Sequence, residues 1–166
     1  YAVPRHAPWR VVLLPLVLLT TLSYALKLID RARLKEINLG LMLGPQIDVD
    51  ALRRLSKGFA VHTCKKNMLQ PALDQIARDR DEGRTIMLAT ASYDFYVREI
   101  GALLGIADIV ATRAATVGGN YLPKIDGENC YGAAKLTLVE VHLASLGLKR
   151  EAYHIRFYSD HVSDSP

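Results

Sequence analysis

Apolar residues recur at helical spacing through the first half of the chain and gather into short continuous runs in the second. From residue 9 to about residue 80 that spacing predicts helix throughout. Residues 11–26 are almost wholly apolar, interrupted by Pro15, Thr20, Thr21 and Ser23 and stopped by Lys27. Residues 31–43 mix charge with leucine, and Gly40, Gly44 and Pro45 break the pattern. Asp48 is placed to cap a helix that carries Val49, Leu52, Leu55 and Phe59 on one face. Pro71 suits the first turn of the next helix, with Leu73 and Ile76 on one side and Gly83 as its stop.

At Thr85 the style changes. Residues 85–89 form a short apolar run after a glycine turn, which predicts a buried parallel strand. A helix bearing Val97, Ile100 and Leu104 follows and stops at Gly105. Residues 108–112 predict a second strand, and Gly118-Gly119-Asn120 a tight turn with a small hairpin. Residues 134–146 predict a helix with Leu136, Val139, Leu143 and Leu146 in one stripe and Gly147 at its end. Residues 154–158 predict a third strand running into Ser159-Asp160. Strands alternating with helices predict an α/β domain with a largely parallel sheet, whose ligands bind beyond the carboxyl ends of the strands. Three polar sets follow strands: Thr90-Ala91-Ser92, Thr112-Arg113, and Ser159-Asp160 with Asp164 just beyond.

Composition narrows the function without naming it. The 166 residues are 50% hydrophobic and 23% charged, a globular balance that excludes disorder. The formal charge of +4 is spread along the chain. Lys65-Lys66 and Arg53-Arg54 are isolated pairs on solvated helix faces, so no nucleic-acid partner is expected, whereas a small anionic substrate fits. Cys64 and Cys130 make no disulfide framework or zinc spacing, and point to free thiols in a reducing, cytoplasmic setting. The five histidines are scattered and read as structural. The run 11–26 is shorter than the about 20 residues a membrane span needs. A buried or interfacial helix is expected there, and contact with a membrane is the alternative. The chain opens without Met and closes after an acidic turn, so both ends are expected to be cuts.

The chemistry rests on three places. Asp160 and Asp164 stand four residues apart after a strand, as a magnesium site with oxygen ligands or as an acidic turn capping a helix. Thr90, with small Ala91 and Ser92, offers hydroxyls and backbone N–H groups as a phosphate cradle; Thr90 or Ser92 could equally be a helix N-cap. Lys135 lies early in a helix, where it opposes the dipole and would be better placed on an anion; an ordinary surface lysine is the alternative.

In order and spacing these pieces resemble the last three motifs of the haloacid dehalogenase superfamily, most closely its phosphoserine-phosphatase-like branch. The similar stretches are T-A-S-Y-D at 90–94, D-G-E-N-C-Y-G-A-A-K at 126–135 and F-Y-S-D-H-V-S-D-S-P at 157–166. The resemblance implies a Rossmann-like three-layer core over residues 81–166, with an inserted all-helical cap over residues 1–80. It implies a magnesium-dependent phosphatase acting on a small phosphorylated substrate. Thr90 would hold a phosphoryl oxygen, with Ala91 and Ser92 near the substrate, and Lys135 would neutralise the transferring group. Asp160 would ligate Mg2+ directly or through water, and Asp164 would orient Lys135 or bind a metal water. One element of the pattern is missing: no D-x-D-x-T occurs, and Asp48-Val49-Asp50 reads as a helix start. The nucleophile and its central strand are therefore expected upstream of Tyr1, leaving these residues alone inactive and poorly stable. A phosphotransferase on the same scaffold, a non-catalytic member, or a membrane-associated one using 11–26 are the alternatives.

Overall fold

The computed structural model describes residues 1–159. Helix α1 (Ala2–His6), a 3-10 segment (Pro8–Leu13), α2 (Leu14–Ala25) and α3 (Arg31–Leu43) come first. The two-residue strand β1 (Ile47–Asp48), α4 (Val49–Lys66) and α5 (Gln70–Asp81) follow. The second half runs β2 (Met87–Tyr93), α6 (Asp94–Leu104), β3 (Asp108–Val117), β4 (Asn120–Asp126), α7 (Ala133–Ser145) and a 3-10 turn (Arg150–Ala152).

Local chemistry sets the boundaries. The carboxylates of Asp30 and Asp48 accept the N–H groups of Arg33 and Ala51 at 2.7 and 2.9 Å, satisfying donors at the starts of α3 and α4. Asp48 is thus a helix cap, as its sequence context predicts. Gly105 ends α6 in the left-handed region at φ 66°, which a residue with a Cβ enters at a cost.

The sheet has the order β1-β4-β3-β2. β2 and β3 are parallel, with α6 as their crossover, and the hairpin β3–β4 is antiparallel, turning at Gly118-Gly119. β1 adds antiparallel to β4. The architecture is α/β, as expected, with parallel pairing confined to β2–β3 among the described residues. β2 is an edge strand there, and it is only partly buried from Met87 to Ser92.

One expectation needs correction, and for residues 11–26 the buried alternative falls away while the interfacial one stands. Residues 154–158 form no strand, and Ile155, Phe157 and Tyr158 are 50%, 51% and 56% exposed. An apolar run becomes a strand only by pairing its backbone groups, and among the described residues this one has no strand beside it. Residues 11–26 are not buried either: Leu14, Leu18 and Leu22 are 48%, 73% and 55% exposed. Beyond the adjoining 3-10 segment, α2 packs chiefly on α3, where the Thr20 hydroxyl donates to Asn38 Oδ1 at 2.8 Å. One neighbouring helix covers one face and leaves the other in solvent.

α3 is the helix that joins the N-terminal half to the sheet. Glu36 Oε1 accepts the Ile125 N–H of β4 at 2.9 Å, and α3 passes Pro123 at Gly40. Arg10 donates to the carbonyls of Gly40 and Leu41 at the far end of α3, at 3.1 and 3.0 Å. A small core of Leu43, Ile47 and Leu52 packs with Phe95 and Tyr121 between α3, α4, α6 and β4.

Buried Gly101 sets the distance between α6 and β3. A Cβ there would stand 2.5 Å from Ile109 Cδ1 and 2.8 Å from the Ile106 carbonyl oxygen. Gly→Ala inside an exposed helix stabilises by about 1 kcal/mol. Here the backbone oxygen cannot yield, so Gly101→Ala is expected to destabilise by about 1–3 kcal/mol, the usual cost of overpacking. Urea denaturation measures the sign directly, and a stabilised variant contradicts the close approach.

Candidate active site

Where β2 gives way to α6, the register with β3 slips. Thr90 lies opposite Ala111 and Tyr93 opposite Thr112, so β2 spends three residues where β3 spends one. Ala91 and Ser92 form the bulge, and the Thr90 hydroxyl oxygen accepts the Ser92 N–H at 3.1 Å. Bulges re-aim side chains at the ends of strands. The helix-cap reading of Thr90 and Ser92 does not hold, because the cap position of α6 is Tyr93 and no side chain fills it. Thr90 keeps its O–H proton for a ligand oxygen, since its bond to Ser92 uses a lone pair.

Thr112 lies behind the bulge with no exposed surface. Its oxygen accepts from the Cys130 N–H at 3.1 Å and from Lys35 Nζ at 3.0 Å. Its own proton goes to the Ala91 carbonyl at 2.9 Å or to Asn129 Oδ1 at 3.1 Å. One donor and two lone pairs are all a threonine hydroxyl has, and all are used. Thr112 thereby holds the bulge of β2 and the loop before α7 at fixed positions. Arg113, next to it, points away into an exposed pair with Asp126.

Lys35 enters this cluster from α3, on the other side of the chain's midpoint. Its ammonium donates to the Ala91 carbonyl, to Thr112 Oγ1 and to Asn129 Oδ1 at 2.7 Å, and lies 4.6 Å from the Tyr93 ring centre. All three hydrogen-bonding partners are neutral oxygens. Burial therefore lowers the Lys35 pKa to about 8, with Cys130 acting against the shift and Arg31, one turn back on α3, adding to it. Arg31 itself stacks over the Tyr131 ring at 4.1 Å. Two cations on one face of α3 thus meet residues 129–131.

Lys135 lies in the first turn of α7, and only 7% of it is exposed. It is not a surface lysine. Phe157 stands 6.0 Å from its Nζ. Cys130, buried completely, precedes α7 and fixes the loop from which the helix starts. Cys64 and Cys130 are both free thiols, and His142 pairs with Asp108 at 3.1 Å at the opposite end of β3, a structural role. Asp160 and Asp164 lie outside the described residues.

The structure thus joins the Thr90-Ala91-Ser92 bulge to the loop that leads into Lys135, through Thr112. It adds Lys35 and Asn129, which periodicity and spacing did not mark. Asn129 stood inside the D-G-E-N-C-Y-G-A-A-K stretch; Lys35 carried no signal beyond being a lysine in a leucine-rich helix.

Two outcomes test this network. Thr112→Val removes the acceptor of the Cys130 N–H and of one Lys35 bond, and the donor shared by Ala91 and Asn129, and is expected to cost about 2–3 kcal/mol in urea denaturation; a change near zero contradicts the central role of that hydroxyl. For Lys35, the unfolded chain keeps its proton to the ordinary 10.5 while the folded chain releases it near 8. Between these values the unfolded state binds more protons, so stability rises with pH. Tyr93, held protonated to about 12 by burial with Glu36 and Tyr96 adding, acts with the opposite sign above its ordinary value of 10. The window is therefore pH 8 to 10, and Lys35→Met is expected to flatten the rise there; an unchanged slope contradicts the buried charge.

Comparison with known proteins bears on the family and the fold. The profile of the haloacid dehalogenase-like hydrolases matches residues 2–166. Two Mycobacterium tuberculosis proteins are 33% identical over 95 residues. They are "Probable phosphatase Rv3661" of strain ATCC 25618 / H37Rv and "Uncharacterized protein MT3761" of strain CDC 1551 / Oshkosh. Each match takes in 57% of this chain and 32% of the relative, so the chain spans about a third of those proteins. A crystal structure of a protein with unknown function from Bordetella pertussis Tohama I has the same fold, with a TM-score of 0.71 at 21% identity. That likeness covers 80% of this chain and 59% of the other.

Proposed function

The chain belongs to the haloacid dehalogenase-like hydrolases, and from that premise we propose that it supplies most of the phosphate site of a magnesium-dependent phosphomonoesterase. The reaction would run through an aspartyl-phosphate whose nucleophile lies outside these 166 residues. The observation that carries this reading is the buried ammonium of Lys135 in the first turn of α7. A cation there gains nothing from the helix dipole. What stabilises it is an anion, either a protein carboxylate or the phosphoryl group of a substrate.

The residues around it take complementary parts. The bulge at Ala91-Ser92 presents the Thr90 hydroxyl at the carboxyl end of β2, where its proton can be donated to a phosphoryl oxygen. Lys135 lowers the energy of the charge that builds on the transferring group, which is the main service a protein offers this chemistry. Ser92 lies close enough in the chain to contact the same substrate. Residues 1–80 would act as the cap, with Lys35 and Arg31 of α3 as the cations it contributes near the phosphate. A relative described as a probable phosphatase supports the same reaction class.

The metal fits only in part. Among the described residues, no group of three or more His, Cys, Asp or Glu side chains converges. The oxygen ligands that magnesium requires would come from Asp160, with Asp164 orienting Lys135 or holding a metal-bound water. When bound, the ion would supply positive charge beside the phosphoryl oxygens.

Among the described residues β2 is an edge strand, and a D-x-D-x-T strand would pair there. Its backbone donors and acceptors need a neighbour if the strand is to be central. That strand would bring D-x-D-x-T next to Thr90.

The protein that carries these residues together with a D-x-D-x-T strand is expected to hydrolyse p-nitrophenyl phosphate only with magnesium. Lys135→Met is expected to lower kcat by about 100-fold or more, in line with the loss of one charge-stabilising group. Asp160→Asn is expected to remove the magnesium dependence together with the activity. Turnover by residues 1–166 alone contradicts an external nucleophile, and full activity in Lys135→Met contradicts the assigned site.

A further inference from the structure

Among the described residues, the N-terminal helical segment exposes an extended apolar surface. Residues Pro8–Ala25 form an 18-residue window of mean hydropathy 1.4, and none of it is buried. Leu18 and Val12 are each 73% exposed, Leu19 58% and Leu22 55%. Contiguous apolar surface of this kind marks an interaction site. Its polar groups are already satisfied without water. The Thr21 hydroxyl donates to the Val17 carbonyl at 2.8 Å and Ser23 to the Leu19 carbonyl at 3.0 Å, while Thr20 has the Val17 carbonyl at 2.9 Å or Asn38 Oδ1 at 2.8 Å for its one proton. Pro15 falls in the first turn of α2, where no N–H is missed.

The charge around this surface is one-sided. Residues 1–29 contain Arg5, Arg10 and Lys27 and no aspartate or glutamate. Exposed Arg31 and Arg33 continue the basic edge, with Asp30 the first acid. Trp9 and Tyr24 stand at the two ends of the apolar stretch, 61% and 39% exposed, and such rings favour the boundary between lipid and water. The 12 residues of α2 reach about 18 Å, well short of the roughly 30 Å hydrocarbon core, and α3 holds the helix along one side.

We infer that α2 and the preceding 3-10 segment are a docking surface for an anionic phospholipid bilayer, lying in the headgroup–acyl boundary without crossing it. The leucines enter the boundary, and Arg5, Lys27 and Arg31 meet the negative headgroups. This does not rest on the phosphatase reading: of the residues placed near the phosphate, only Arg31 borders this surface.

Trp9 is the chain's single tryptophan and reports on the surface directly. Its emission is measured with vesicles of phosphatidylcholine alone and with vesicles that also contain phosphatidylglycerol, alongside flotation of the protein with each. Binding to the anionic vesicles, with a blue shift of Trp9 and weakening by salt, is expected. Leu18→Asp and Leu22→Asp, both at exposed positions, are each expected to weaken binding by about ten-fold. Lys27 has φ 57°, so Lys27→Gly keeps the backbone and removes one charge, for about a five-fold loss. Circular dichroism of each variant checks that the helices persist. A water-like Trp9 emission with no flotation overturns the inference. So does a Trp9 already blue-shifted without lipid, which in a dimer means a second copy covers the surface and in a monomer that another segment does.

Discussion

The Thr112 hydroxyl is the interaction on which the site depends. It is fully buried and has three hydrogen-bonding capacities, all taken. Through them it ties three parts of the chain that share no local sequence: the bulge of β2, the loop into α7, and Lys35 of α3. A buried polar group with every capacity met fixes geometry, whereas one left partly unmet destabilises the fold. The same hydroxyl thus sets where Thr90 stands and where α7, with Lys135, begins.

The electrostatics of this end of the sheet follow from what surrounds its cations. Lys35 is held by neutral oxygens, which satisfy its hydrogen bonds without cancelling its charge. Its lowered proton affinity measures that imbalance. Lys135 sits buried at the positive end of a helix, and Arg31 covers Tyr131 near by. On the proposed reading, this positive charge binds an anion and stabilises the charge that develops on it. A phosphoryl group is the anion we propose, with Thr90 at the strand end as one of its donors.

Much of this was legible in the sequence, and the parts that were not share a cause. Helix caps at Asp48 and Gly105, the hairpin turn at Gly118-Gly119 and the strand at β2 follow from residues within a few positions of each other. Such local chemistry can be read from one chain. Thr90 and Lys135 were marked by their order in a recognisable pattern. Lys35 was not, because its role comes from contacts 56 to 94 residues away and leaves no periodic trace. The failed strand at 154–158 and the exposure of 11–26, where burial was one of two expectations, have the same cause. Apolar composition signals what a segment would bury, but burial needs a partner surface, and composition does not supply one. In the first case the described residues offer no neighbouring strand, and in the second only α3 and the adjoining 3-10 segment provide cover.

The account's central claim is that the strand ends and the start of α7 form an anion site suited to a tetrahedral phosphoryl group. Calorimetric titration with tungstate, a tetrahedral oxyanion that needs no nucleophile to bind, tests this most directly. The account predicts one site, weakened at least about ten-fold by Lys135→Met and by Thr90→Val, since each removes a charge-assisted contact. Tungstate binding that is absent, or equal in wild type and both variants, would contradict it.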